Sequence, residues 1–147
     1  MSHANARSPS LQRTVTFWET MSNDSLAGIA NVYTEDVKFR DPFNDIASIE
    51  KLRHICEDMF VRLDDPRFAI LETVEQDNRA FLTWDFKFRM KTLKPELTRT
   101  IHGGSHLTFA PDGRVCVHRD YWDAAGELYE QLPVVGALMR FLKKRAG

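Results

Sequence analysis

The chain has 147 residues, 43% of them hydrophobic and 28% charged, with a formal net charge of −1. That length and balance fit one globular domain with a sizeable core, and so even a charge removes the basic field that nucleic-acid binding needs. No apolar run reaches membrane-spanning length, and two cysteines make no disulfide framework, so a reducing, cytoplasmic setting is expected.

Residues 1–9 lack an apolar stretch and are expected to be a flexible tail, not a secretory signal. Residues 10–147 are expected to form a single domain. Over 10–21, Leu11, Val15, Trp18 and Met21 share one helical face. The SNDS run at 22–25 breaks that helix, and Ser25 can cap a short second one with Leu26, Ile29, Ala30 and Tyr33 on its buried side. Residues 37–43 read as a strand stopped near Pro42. Ser48 caps a third helix carrying Ile49, Leu52, Cys56, Met59, Phe60 and Leu63, which Pro66 ends.

From residue 68 the period falls to two. Residues 68–75 form a strand, and Asp77-Asn78 a turn. Over 80–90 the even positions Ala80, Leu82, Trp84, Phe86, Phe88 and Met90 alternate with polar ones, as in a half-buried strand. Two further strands, 98–110 and 114–122, flank Pro111-Asp112-Gly113, and helices follow over 124–131 and 134–144. The amphipathic segment PVVGALMRFLKKR is expected to cap its own domain rather than bind a membrane. Helices first and an antiparallel sheet afterwards make the fold class α+β.

The 110–114 turn suits a three-residue hairpin loop with Gly113 left-handed. Counting back from it, Thr108 faces Cys116, His106 faces His118, Gly104 faces Asp120 and His102 faces Trp122. Asp120 and His106 then reach one ligand and can share acid/base work. A bulge at Gly103-Gly104 would instead bring Ser105 to the pocket in place of His106. The opposite face carries Ile101, Leu107, Phe109, Val115, Val117 and Tyr121, so it too needs cover, and a homodimer through the sheet is expected.

Asp41 shares strand parity with Phe39 and Phe43 and is the third candidate carboxylate, unless it only caps the turn before Pro42. Trp84, Phe86, Phe88 and Trp122 suit a pocket for a flat apolar molecule. Tyr33, Ser105 and His118 are candidate donors to a developing oxyanion. His102 and His106, four residues apart on a strand, lie about 13 Å from each other and are no metal pair. No metal and no cofactor is expected. His118-Arg119-Asp120 also begins like a kinase loop, but the required Asn would be Ala125, and no Asp-Phe-Gly or Gly-rich loop is present.

The element order, the Phe39-Arg40-Asp41-Pro42 strand and the GRVCVHRDYWD strand together resemble the nuclear transport factor 2-like superfamily. The resemblance runs from about Leu11 to the C-terminal helix. It implies a cone: a strongly curved antiparallel sheet whose open end is closed by helices, with a ligand pocket inside. The chain looks most like the SnoaL-like cyclases of that superfamily, which carry a His, a turn ending Asp-Gly, then His-Arg-Asp. Here these are His106, Asp112-Gly113 and His118-Arg119-Asp120. The resemblance implies Asp120 as acid/base and His106 as its partner, and it places Asp41 where ketosteroid isomerases keep their base. Phe17 stands where those isomerases have an oxyanion-binding Tyr, and Ser105 at or beside their second Asp. What it implies for function is proton transfer on a small hydrophobic carbonyl or enol compound, or ligand binding and scaffolding without chemistry.

Overall fold

The computed structural model describes residues 6–127 and 144–145. Residues 134–143 of the helix expected over 134–144, and the second half of that over 124–131, lie outside the described residues. Helix α1 (Pro9–Glu19) begins with Ser8 as cap, its side chain accepting from Leu11 N–H, and Pro9 in the first turn where its missing N–H costs nothing. The Glu75 carboxylate accepts from both the N–H and the hydroxyl of Ser8, which ties the helix start to the sheet. A 3₁₀ helix (Ser25–Asn31) follows, then β1 (Tyr33–Arg40) and a two-residue β2 (Asp45–Ile46). Helix α2 (Ile49–Arg62) is capped by Ser48 and buries Ile49, Leu52 and Cys56.

Three long strands and a shorter one complete the sheet: β3 (Leu63–Gln76), β4 (Arg79–Met90), β5 (Thr98–Phe109) and β6 (Val115–Tyr121), before a four-residue α3 (Ala124–Glu127). The order across the sheet is β2-β1-β6-β5-β4-β3. Every pairing is antiparallel except β1 with β6, so the sheet is mixed and not purely antiparallel.

Three elements differ from the expectation. Tyr33 opens β1, paired with Val115, and does not sit on the preceding helix. Strand β3 starts at Leu63 and runs through Pro66, with a register break between Asp64 and Arg67. A proline has no ladder N–H to give, and β3 is an edge strand, where that loss is tolerated. The third difference decides the site. The turn closes as expected, with Gly113 at φ 90°, Gly113 N–H donating to Ala110 O and Ala110 N–H to Arg114 O. Beyond it Phe109 pairs with Val115 but Thr108 pairs with Val117, so Cys116 is an extra residue in β6.

That bulge changes every facing pair after it. Ser105 faces Asp120, Leu107 faces His118 and Gly104 faces Tyr121. Strict alternation would have sent Val115 and His118 to opposite faces. With one residue inserted, Val115 (0% exposed) and His118 (4% exposed) point into the same interior. The apolar residues of β5 (Ile101, Leu107 and Phe109) and the polar pair of β6 therefore share one side. The sheet needs no second apolar cover for the reason the sequence suggested. The outward face keeps Val74, Phe81 and Tyr121 exposed.

Candidate active site

The concave side of the sheet, α1 and α2 enclose a cavity of about 350 Å³. Strand β4 supplies Trp84, Phe86 and Phe88, β3 supplies Phe68, and α1 supplies Trp18. These rings form a continuous wall. Phe68 stacks on Phe86 (4.4 Å between centroids), Phe86 on Phe88 (5.0 Å), and Trp18 meets Phe68 edge-on (5.1 Å). Helix α2 closes the other side with Ile55, Cys56 and Met59. The polar groups on this lining are few, chiefly Asp120, Asp41 and Arg62.

Asp120 is the centre of the arrangement. Among the described residues its carboxylate, 16% exposed, takes both of its hydrogen bonds on Oδ1: Ser105 Oγ donates at 2.5 Å and His118 Nε2 lies at 2.6 Å. Ser105 Oγ in turn accepts from Trp84 Nε1 at 2.9 Å. On its far side His118 Nδ1 lies 2.8 Å from Tyr33 Oη, which accepts from Trp18 Nε1 at 2.6 Å. A smaller space of about 20 Å³, room for roughly one water, adjoins Ser105, His118 and Asp120 beside Thr14 and Leu107.

Burial holds the Tyr33 phenol well above its usual range; the Trp18 hydrogen bond opposes this, and Cys56 and Asp120 add to it. Burial also pushes the Cys56 thiol from 9.0 up to about 12, with smaller contributions from Asp120 and Glu57. The unfolded thiol ionises first, near its ordinary value. Its contribution to stability is therefore full below pH 9 and is lost as pH rises toward 12, at most about 4 kcal/mol. In Cys56→Ala, denaturant titrations above pH 9 should show a shallower alkaline loss of stability than in the wild type; parallel curves would contradict this.

The other expected site residues fall as follows. His106 is a correction: it pairs with Phe81 and Arg119 on the outward face, in an open groove with Val74 and Gln76, because the Cys116 bulge passes its place to Ser105. The shift to Ser105 comes from that bulge and not from one at Gly103-Gly104. His102 likewise faces outward, beside Asp85 at 3.0 Å. Asp41 reaches the cavity rim, but its carboxylate caps the turn, accepting from the N–H groups of Phe43 (2.8 Å) and Asn44 (2.7 Å). No hydrogen bond joins it to Asp120 among the described residues. Phe39, Trp84, Phe86 and Trp122 line the cavity. Phe17 packs behind it, edge-on to Tyr33. Tyr33 stands behind His118. Trp18, whose helical periodicity marked it only as core, both lines the cavity and heads the Tyr33 chain.

A curved mixed sheet of six strands, closed by helices over an apolar cavity with one networked carboxylate, defines an α+β protein of the ketosteroid isomerase-like, nuclear transport factor 2-like fold. The SnoaL-like domain model matches residues 14–118, and the chain belongs to that family. Its fold is shared by a ketosteroid isomerase-like protein of Catenulispora acidiphila solved with trimethylamine (TM-score 0.70, 9% identity, 84% of this chain and 92% of that one). It is also shared by a SnoaL-like family protein of Agrobacterium tumefaciens (0.62, 14%, 78% and 94%). A third is an epoxide hydrolase of the LEH-like type from M. tuberculosis (0.66, 13%, 80% and 85%). No curated protein matches the chain in sequence. Among the described residues, no helix is long and apolar enough to cross a membrane.

Proposed function

We propose that this protein is an acid/base enzyme that moves a proton on a small hydrophobic carbonyl- or enol-bearing molecule held in the cavity. The reading rests on one observation: the Asp120 carboxylate sits on a mostly apolar wall with Oδ1 engaged by Ser105 and His118, while the other carboxylate on the lining, Asp41, is taken up by its own turn. A carboxylate fixed in that way beside a water-poor space can take a proton from carbon and return it to another atom of the same molecule. The aromatic wall suits a flat substrate. That structural neighbours include isomerase-like and epoxide hydrolase proteins agrees with a pocket of this chemistry but does not choose the reaction.

The test uses a flat bicyclic carbon acid, a nitro-substituted benzisoxazole. Loss of its ring C–H proton to a base breaks the N–O bond and releases a coloured cyanophenolate. Turnover by the wild type that disappears in Asp120→Asn supports the reading. Binding of the probe without turnover favours a ligand-binding protein with no chemistry. The same reading keeps a homodimer as the assembly, across the outward face where the Phe81 ring lies over Gly104 next to Tyr121. Sedimentation that finds only monomer at micromolar concentration removes it.

A further inference from the structure

We infer that Tyr33 is a positioning residue: with Trp18 behind it, it donates to Nδ1 and so holds the His118 ring with its Nε2 proton directed at Asp120 Oδ1, leaving Oδ2 to meet the substrate. The inference deepens the proposed function and rests on Asp120 being its base.

Two hydrogen-bond chains end on the same oxygen. One runs Trp18 Nε1, Tyr33 Oη, His118, Asp120 Oδ1; the other runs Trp84 Nε1, Ser105 Oγ, Asp120 Oδ1. Each starts at an indole N–H, which can only donate, and ends at a carboxylate, which when ionised can only accept. The direction of every proton between them follows. Tyr33 Oη accepts from Trp18, and the phenol, kept protonated by its burial, has one proton of its own to place. His118 Nδ1 at 2.8 Å is the acceptor the structure offers it.

The opposite arrangement carries two faults. With the proton on Nδ1, Tyr33 Oη would face two N–H donors, and its own O–H would be buried without an acceptor. A bare Nε2 would then point its lone pair at Asp120 Oδ1 from 2.6 Å. With the proton on Nε2 both contacts become hydrogen bonds. The second chain is consistent: Ser105 accepts from Trp84 and spends its single proton on Asp120. Both chains deliver to Oδ1, and Oδ2 has no protein donor among the described residues.

Specific consequences follow for the ligand. Tyr33, Ser105 and His118 each spend the proton that faces this site inside the network, so none of the three is a donor to a developing oxyanion. Tyr33 also never touches the substrate. It acts on the ring, holding the imidazole plane from the side opposite Asp120, while Phe39 packs against that ring at 4.9 Å.

The test is ¹⁵N spectroscopy of histidine-labelled protein, with the His118 signals identified by their loss in His118→Asn. The expected resting state has a proton on Nε2 and a proton-free Nδ1 whose shift shows a donor. In Tyr33→Phe, Nε2 keeps its proton and the Nδ1 shift moves to that of a nitrogen without a donor. In the same variant kcat on the benzisoxazole falls about tenfold, as for one lost hydrogen bond, with KM changed less than about twofold. A proton on Nδ1 in the resting wild type overturns the inference. An Nδ1 shift untouched by Tyr33→Phe also overturns it, as does a fully active variant. The nitrogen shifts are read with no substrate present, so they stand or fall apart from the identity of the base, which turnover alone reports. The wild-type spectrum decides the proton's place even if the variant does not fold.

Discussion

Asp120→Asn is expected to lower turnover of the benzisoxazole probe at least about 100-fold, the lower range for loss of a positioned general base. The amide keeps the size of the carboxylate, and its oxygen can still accept from Ser105 Oγ and His118 Nε2. Stability should therefore fall by only about 1 kcal/mol, the difference between hydrogen bonds to a charged and a neutral acceptor, or roughly 3 °C for a chain of this size. Binding of the probe should persist, because the aromatic wall is untouched. A retained rate would remove Asp120 as the base. A melting temperature lower by ten degrees or more would mark it as structural and would leave the lost rate without mechanistic meaning.

Gly103→Ala should be the most damaging single-methyl change in the sheet. Gly103 faces Trp84 across β4 and β5, and the indole passes close beside it to reach Ser105. A Cβ at 103 would stand 2.5 Å from Trp84 Cη2 and 3.0 Å from Trp122 Cβ. Trp84 is 5% exposed, and its ring can give way only toward the cavity it lines, at the expense of its bond to Ser105 Oγ. Overpacking of this kind costs about 1–3 kcal/mol, roughly 3–9 °C in a thermal melt. The displaced indole would also release Ser105 Oγ, so the near-ultraviolet tryptophan signal should change together with the melting temperature. An unchanged melt would mean that the ring is not seated as described. The glycine is needed here for close approach, and no left-handed backbone is involved: among the described residues Gly113 is the glycine at positive φ.

Much of the fold was legible in local pattern. The alternation from Ala80 to Phe88 correctly marks the inward face of β4, and Leu82, Trp84 and Phe88 are buried. Ser48 caps its helix and Pro-Asp-Gly closes its hairpin, since these depend on backbone geometry within a few residues. The possibility that Asp41 only caps a turn was legible for the same reason, and the structure gives its carboxylate that contact.

The partners of Asp120 were not legible. A one-residue insertion at Cys116 has no signature in hydropathy, because Cys116 is small and half-buried on either reading. Yet it exchanges His106 for Ser105 opposite Asp120, since side chains alternate and a shift of one turns each to the other face. Tyr33 and Trp18 were hidden differently. They are distant in sequence from Asp120 and meet it only through His118, a contact made when β1 lies parallel to β6 and Trp18 of α1 reaches Tyr33.

By itself the sequence determined the α+β class, the order of elements and the apolar inner row of β4, which follow from short-range periodicity and turn chemistry, while its FRDP and HRD motifs carried the family resemblance. Only the tertiary structure decided which groups surround the Asp120 carboxylate. The physical reason is that hydrogen-bond partners across a sheet are set by register, and register here depends on one bulged residue that local pattern leaves free.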